Sequence, residues 1–165
     1  MKPKTVRRSS GLSSAFAQSH RAGVGPGTVI LSQAGETQVE DLRVGARIIT
    51  RDAGLVTLCG LRKYRLTTHT VRIHANSFGN ACPDRDVILP AEQHVLVRDW
   101  RAMALFGQQQ ALVPAQALVD GSFITNDGVR TLTLFDLRFD CAHVIYADGL
   151  EVGALALPAM QNNAC

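Results

Sequence analysis

The chain has 165 residues, 46% of them apolar, 19% charged and 5% aromatic, which suits one domain with a closed hydrophobic core and excludes a disordered chain. No run approaches the roughly 18 consecutive apolar residues that cross a bilayer as a helix, so no membrane span is expected. The net charge of +3 is uneven: residues 1–22 carry Lys2, Lys4, Arg7, Arg8 and Arg21 with no acid, leaving 12 basic and 14 acidic side chains on the remainder.

A nucleic-acid-binding domain carries its basic excess on the folded body, where it meets phosphates. Here the body is mildly acidic, so no specific nucleic-acid partner is expected. Residues 1–22 read as a solvated basic tail. Arg7-Arg8 and Ala15-Phe16-Ala17 resemble the flanks of a secretory signal. The segment between them is serine-rich and lacks the apolar core of about 7–15 residues that such a signal needs. A cytoplasmic protein is therefore the expectation, in keeping with cysteines that look unpaired.

From Gly23 onward short strands alternate with turn signals. Thr28 to Leu31 is β-branched-rich and is followed by a glycine-containing turn at Gln33 to Glu36. Val39 to Leu42 predicts a single helical turn. Arg47 to Thr50 is the next strand, closed by Asp52-Ala53-Gly54. Leu55 to Leu61 and His69 to His74 alternate loosely, and Asp86 to Leu89 and His94 to Val97 flank Pro90. The run His94 to Val97 is apolar on both faces after its histidine, as in a strand buried from both sides. Trp100 to Phe106 has helical spacing with Gly107 as its stop, and Pro114 to Val119 is a second short helical piece with proline at its first position. Thr131 to Phe135 and Ala142 to Tyr146 are strands, and Asp148-Gly149 turns the chain into Leu150 to Val152. Strands recurring every 8–12 residues predict an all-β fold with little helix. Its candidate core is Val29, Leu31, Ile48, Val71, Ile73, Ile88, Val95, Val97, Leu134 and Ile145.

The glycines of Gly23-Val24-Gly25-Pro26-Gly27 precede a strand and not a helix, so they form no phosphate-binding loop and imply no nucleotide cofactor. The five histidines are His20, His69, His74, His94 and His143. His69 and His74 fall on opposite faces of a strand and cannot share a metal. Cys141 and His143 share a face, but neither Cys59 nor Cys82 can be assigned by spacing as a further ligand, so no metal site is assigned. The four cysteines show no CxxC, which indicates neither a disulfide scaffold nor a zinc finger. No GxSxG or Cys-His nucleophile signature is present. That leaves His94, which enters an apolar strand directly after the turn at Pro90-Ala91-Glu92-Gln93. A histidine satisfied by a backbone carbonyl in the core is the plain reading of that position.

Gly27-Thr28-Val29-Ile30 with Gly35-Glu36, and Val39-Glu40-Asp41-Leu42 with Gly45 and Ile48-Ile49-Thr50, resemble the opening of a Hint domain, the hedgehog/intein self-cleaving module. The likeness continues through Gln93-His94-Val95-Leu96-Val97, Leu112-Val113-Pro114-Ala115 and Leu118-Val119-Asp120-Gly121. It closes with His143-Val144-Ile145-Tyr146-Ala147-Asp148-Gly149-Leu150-Glu151. Short bacterial proteins that consist of little more than one such domain fit best. The resemblance implies a horseshoe of bent, mostly antiparallel strands with one or two short helices. It places the domain at 23–153, between the tail 1–22 and a C-terminal tail 154–165.

The resemblance also implies self-processing. In the family a Cys or Ser at the first position of the domain attacks the preceding peptide bond in an acyl shift, and a Thr-x-x-His turn polarises that bond and protonates the departing nitrogen. In this chain the nucleophile position is Gly23, which has no nucleophilic atom. The threonine position is Ala91, and only His94 of that motif remains. The closing Glu151-Val152-Gly153-Ala154 shows no His-Asn, the ending with which inteins finish, and His143 stands near the end as a further site candidate. The expectation is a degenerate Hint domain, not an enzyme, with a vestigial site at Gly23, Ala91, His94 and His143. It would serve as a binding or structural module for a protein or peptide partner, without a cofactor. The alternatives are active autoprocessing by an off-pattern nucleophile such as Ser19 or Thr28, and a small metal- or ligand-binding β protein.

Overall fold

The structure is a computed structural model that describes residues 21–157. The first two hairpins are β1 (Val29–Ser32) with β2 (Gly35–Gln38), and β3 (Arg47–Thr50) with β4 (Gly54–Thr57). A 3-10 turn at Val39–Asp41 lies between them, where one helical turn is expected. Then follow β5 (Gly60–Ile73), β6 (Val87–Pro90), β7 (His94–Val97), α1 (Trp100–Phe106), β8 (Ala111–Pro114), a second 3-10 turn at Ala115–Leu118, β9 (Ile124–Phe139), β10 (His143–Ala147) and β11 (Leu150–Ala156). The strands join in the order β2-β1-β3-β10-β11-β9-β5-β6, with β7 bridging β11 to β8. Every pairing between these strands is antiparallel except that of β11 with β9. Over the described residues the fold is all-β with one short α-helix, as the sequence predicts. Among the described residues no helix is long and apolar enough to cross a membrane.

Two long strands organise the molecule. β5 and β9 span 14 and 16 residues and pair along their whole length, from Gly60 opposite Arg138 to Ile73 opposite Ile124. The sequence pattern breaks both into shorter pieces for two reasons. The middle of β5 exposes Arg62, Lys63 and Arg65, which interrupts its apolar alternation. In β9, Asn126-Asp127-Gly128 has the composition of a turn but forms a bulge: Thr70 faces Gly128 and Val71 faces Asn126, leaving Asp127 as the extra residue. The helix has clear local signals. The Asp99 side chain accepts from the Arg101 amide at 3.0 Å, and Gly107, at φ 65°, returns its amide to the carbonyls of Ala102 and Met103.

The core gathers Ile30, Ile48, Ile73, Ile124, Leu134, Phe139 and Ile145 from strands throughout the sheet, with Leu58 from the link between β4 and β5. Each such side chain contributes about 1.5–3 kcal/mol by leaving water. Val71, Val95 and Val97 are buried as expected. Val29, Leu31 and Ile88 are corrections: all three are half-buried, while Ile30, Val87 and Leu89 face the interior. In a strand, choosing the wrong phase moves the whole apolar set to the opposite face. Here both faces carry aliphatic residues, so composition does not settle the phase. β11 runs to Ala156, past residue 153, and the Leu157 amide donates to the Phe139 carbonyl at 2.8 Å.

Candidate functional site

Val24 runs alongside β9. Val24 exchanges two backbone hydrogen bonds with Phe135, at 3.0 and 2.8 Å, and so extends the sheet along an edge of β9. Strand pairing stops there. The Gly23 amide donates instead to the Gln93 side-chain oxygen at 2.9 Å, and the Ala22 carbonyl accepts from the Tyr64 hydroxyl. Thus both polar groups of the Ala22–Gly23 peptide unit are held by side chains, one from the turn before β7 and one from β5.

Gly23 is a glycine for two independent reasons. Its φ of +146° lies where L side chains are strained, and a Cβ built there would sit 2.9 Å from the Phe135 carbonyl oxygen and 3.1 Å from Leu134 Cβ. The backbone crowding is the decisive part, because a carbonyl in a paired strand cannot swing aside as a flexible side chain can.

Gln93 is 2% exposed and makes three hydrogen bonds through its amide. Oε1 accepts from Gly23, while Nε2 donates to the carbonyls of His94 and Gly153, each at 2.9 Å. Only this orientation of the amide satisfies all three partners. The side chain therefore ties the Ala22–Gly23 unit to the β7 turn and to β11. Ala91, on the same turn, is buried; its amide donates to the His69 carbonyl at 2.9 Å and its carbonyl accepts from Gln116 at 3.0 Å.

His94 lies next to Gln93, with Nδ1 3.1 Å from the Glu92 carbonyl. Burial lowers its pKa below the ordinary imidazole value, against the opposing pull of the Glu92 carbonyl and carboxylate. The ring is consequently neutral at neutral pH, the wrong state for protonating a departing amide nitrogen. His143 belongs to another group of side chains. Its Nδ1 pairs with Asp52 Oδ2 at 2.8 Å, its Nε2 lies 3.6 Å from Asp140, and its ring meets Phe139 edge-on at 5.7 Å between centroids. The sheet links it indirectly to the first group, since His143 pairs with Ala154, the neighbour of Gly153.

Asp140, Cys141 and His143 bring potential ligand atoms within 4.8 Å of one another. Cys141 is disulfide-bonded, whereas Cys59 and Cys82 are free, which corrects the expectation of unpaired cysteines. A disulfide sulfur is not the thiolate that a metal takes, so Cys141 leaves the ligand set. Of the off-pattern nucleophiles, Ser19 lies outside the described residues. Thr28 is buried and its hydroxyl donates to the Gly25 carbonyl at 2.7 Å, away from the Ala22–Gly23 bond.

Sequence reasoning missed Gln93, Tyr64 and Asp136. Gln93 carried one usable signal, a polar side chain just ahead of a strand read as buried on both faces. Asp136 is buried and held by Arg138 at 2.8 Å and Arg62 at 3.5 Å, and it raises the Tyr64 pKa after the larger effect of burial. Neither Tyr64 nor Asp136 could be placed beside residue 22 without the pairing of β5 with β9.

Comparison with known proteins follows the same lines. The sequence model of the Hint domain matches residues 23–157. No curated protein matches the chain. Among solved structures, the bacterial intein-like domain from Clostridium thermocellum is 15% identical, with a TM-score of 0.54, over 83% of this chain and 99% of that one. A DnaB intein from Synechocystis sp. PCC 6803 is 12% identical, with a TM-score of 0.50, over 81% and 98%. At these identities the likeness establishes the fold.

Proposed function

The chain belongs to the Hint domain family, and on that premise we propose that its self-cleavage site is vestigial and that the domain serves as a structural or binding module for a protein or peptide partner. The observation that carries this reading is Gly23. The position that needs a nucleophile holds a residue without a side chain, in a conformation and a space that admit none. Two further features agree with it. Ala91 stands where the family's threonine would polarise the bond, and His94 is held neutral. Gln93 accepts from the Gly23 amide and so fixes the orientation of that peptide unit without supplying it a proton. A positioned histidine contributes about 10²–10⁴-fold as acid or base, too little to break an amide bond with no nucleophile beside it.

Hydroxylamine provides the test, because it captures any acyl intermediate formed at residue 22. Incubated with it, the purified chain is expected to keep its mass of 17.8 kDa. A fragment ending in a hydroxamate at Ala22 overturns the reading.

A further inference from the structure

We propose that Tyr64 and Gln93 form a two-sided clamp on the Ala22–Gly23 peptide unit, and that the site works as an anchor that fixes the path and rotation of the chain at residues 22 and 23. The proposal rests on the vestigial-site reading and gives the retained site a task.

A strand that joins a sheet has its peptide groups satisfied by the neighbouring backbone. That is true of Val24 and ceases at Gly23. The next peptide unit is held across sequence separations of 70 residues, to Gln93, and 42 residues, to Tyr64. Its amide and carbonyl point in opposite directions, so a partner on each fixes the rotation of the unit about the chain axis, which neither contact fixes alone. The clamp recognises main-chain groups only. Ala22 is itself buried, at 8% exposure, while Arg21 is exposed. Among the described residues the grip reaches no further than Ala22.

Each half of the clamp is braced. Gln93 is locked by its bonds to His94 and Gly153. The Tyr64 ring lies under the Arg62 guanidinium at 4.4 Å, and Arg62 and Arg138 both pair with buried Asp136. Burial and Asp136 raise the phenol's pKa against the opposing pull of the two arginines, so the hydroxyl keeps the proton it donates to Ala22.

The test compares wild type with Tyr64→Phe, which removes the hydroxyl and keeps the ring. Trypsin must draw residues 22 and 23 out of the clamp to cut after Arg21. Cutting there is expected to be about tenfold faster in the variant, with cutting after exposed Arg43 unchanged. The Ala22 carbonyl-carbon resonance gives a second readout, one that a packing role for the ring would not produce. In wild type it moves as the Tyr64 phenol ionises at alkaline pH, and in Tyr64→Phe it stays flat. Wild type alone supplies this titration if the variant fails to fold. Unchanged cutting after Arg21 in a folded variant, or a wild-type Ala22 carbonyl indifferent to phenol ionisation, overturns the clamp. Loss of residues 1–22 without protease overturns the vestigial-site reading instead, so the two failures are distinct.

Discussion

Replacing Gln93 by alanine strips hydrogen-bond partners from one buried amide and two carbonyls, those of Gly23, His94 and Gly153. A buried polar group left without a partner costs about 1–3 kcal/mol. The two carbonyls keep a second lone pair, and water entering the vacated space recovers part of the loss, which brings the expected total to about 2–5 kcal/mol. Against a typical stability of about 5–15 kcal/mol this is a large fraction. For a chain of this size it corresponds to a fall in Tm of roughly 5–15 °C. Urea denaturation followed by far-UV circular dichroism measures it, with an unchanged slope showing that the midpoint reports stability. Gln93→Glu sharpens the test, because it keeps the shape but turns the donor that faces two carbonyls into an acceptor. The introduced carboxyl is buried, so its folded pKa lies above its unfolded value of about 4.3. Its destabilisation therefore grows as pH rises through that range and is smaller at pH 5 than at pH 7. A loss below about 1 kcal/mol in Gln93→Ala, well under the cost of even two unpartnered groups, would refute the assignment of Gln93 as the tie between these three segments.

Two further substitutions probe the same region. Gly23→Ala places a methyl 2.9 Å from the Phe135 carbonyl oxygen at a φ of +146°, and the backbone strain alone costs about 1–3 kcal/mol; a denaturation midpoint equal to wild type would show that the site has room for a side chain. For His94 the folded pKa lies below the unfolded one, so between the two the unfolded chain binds more protons. Stability then rises with pH up to about 6.5 and levels off above it. The difference between wild type and His94→Asn, measured from pH 5 to 8, carries that slope if burial governs the ring, and is flat or reversed if it does not.

Local chemistry made part of this fold readable. Gly107 marks the end of α1, and the β-branched run Ile48-Ile49-Thr50 marks β3. The long strands were not readable, because the basic residues of β5 and the Asn126-Asp127-Gly128 bulge of β9 have the local character of loops and become strand only through their mutual pairing. Val29, Leu31 and Ile88 show the same limit at smaller scale, since the facing layer chooses which aliphatic residue turns inward. At the site, the resemblance to the Hint family singled out Gly23, Ala91 and His94 along the sequence. What surrounds Gly23 depends on contacts between distant segments. Glycine at 23 could be read as a missing nucleophile, but the Phe135 carbonyl that bars a side chain there could not, nor could the amide of Gln93 or the hydroxyl of Tyr64.

The central claim is that the bond before residue 23 stays intact because its nucleophile is gone. The most direct measurement is an intact-mass time course in thiol, without protease, of wild type beside Gly23→Cys/Ala91→Thr, at several protein concentrations. The account predicts that wild type remains at 17.8 kDa throughout, with any thiol-dependent cleavage before residue 23 confined to the double variant. Loss of residues 1–22 from wild type, at a rate independent of protein concentration, would contradict it.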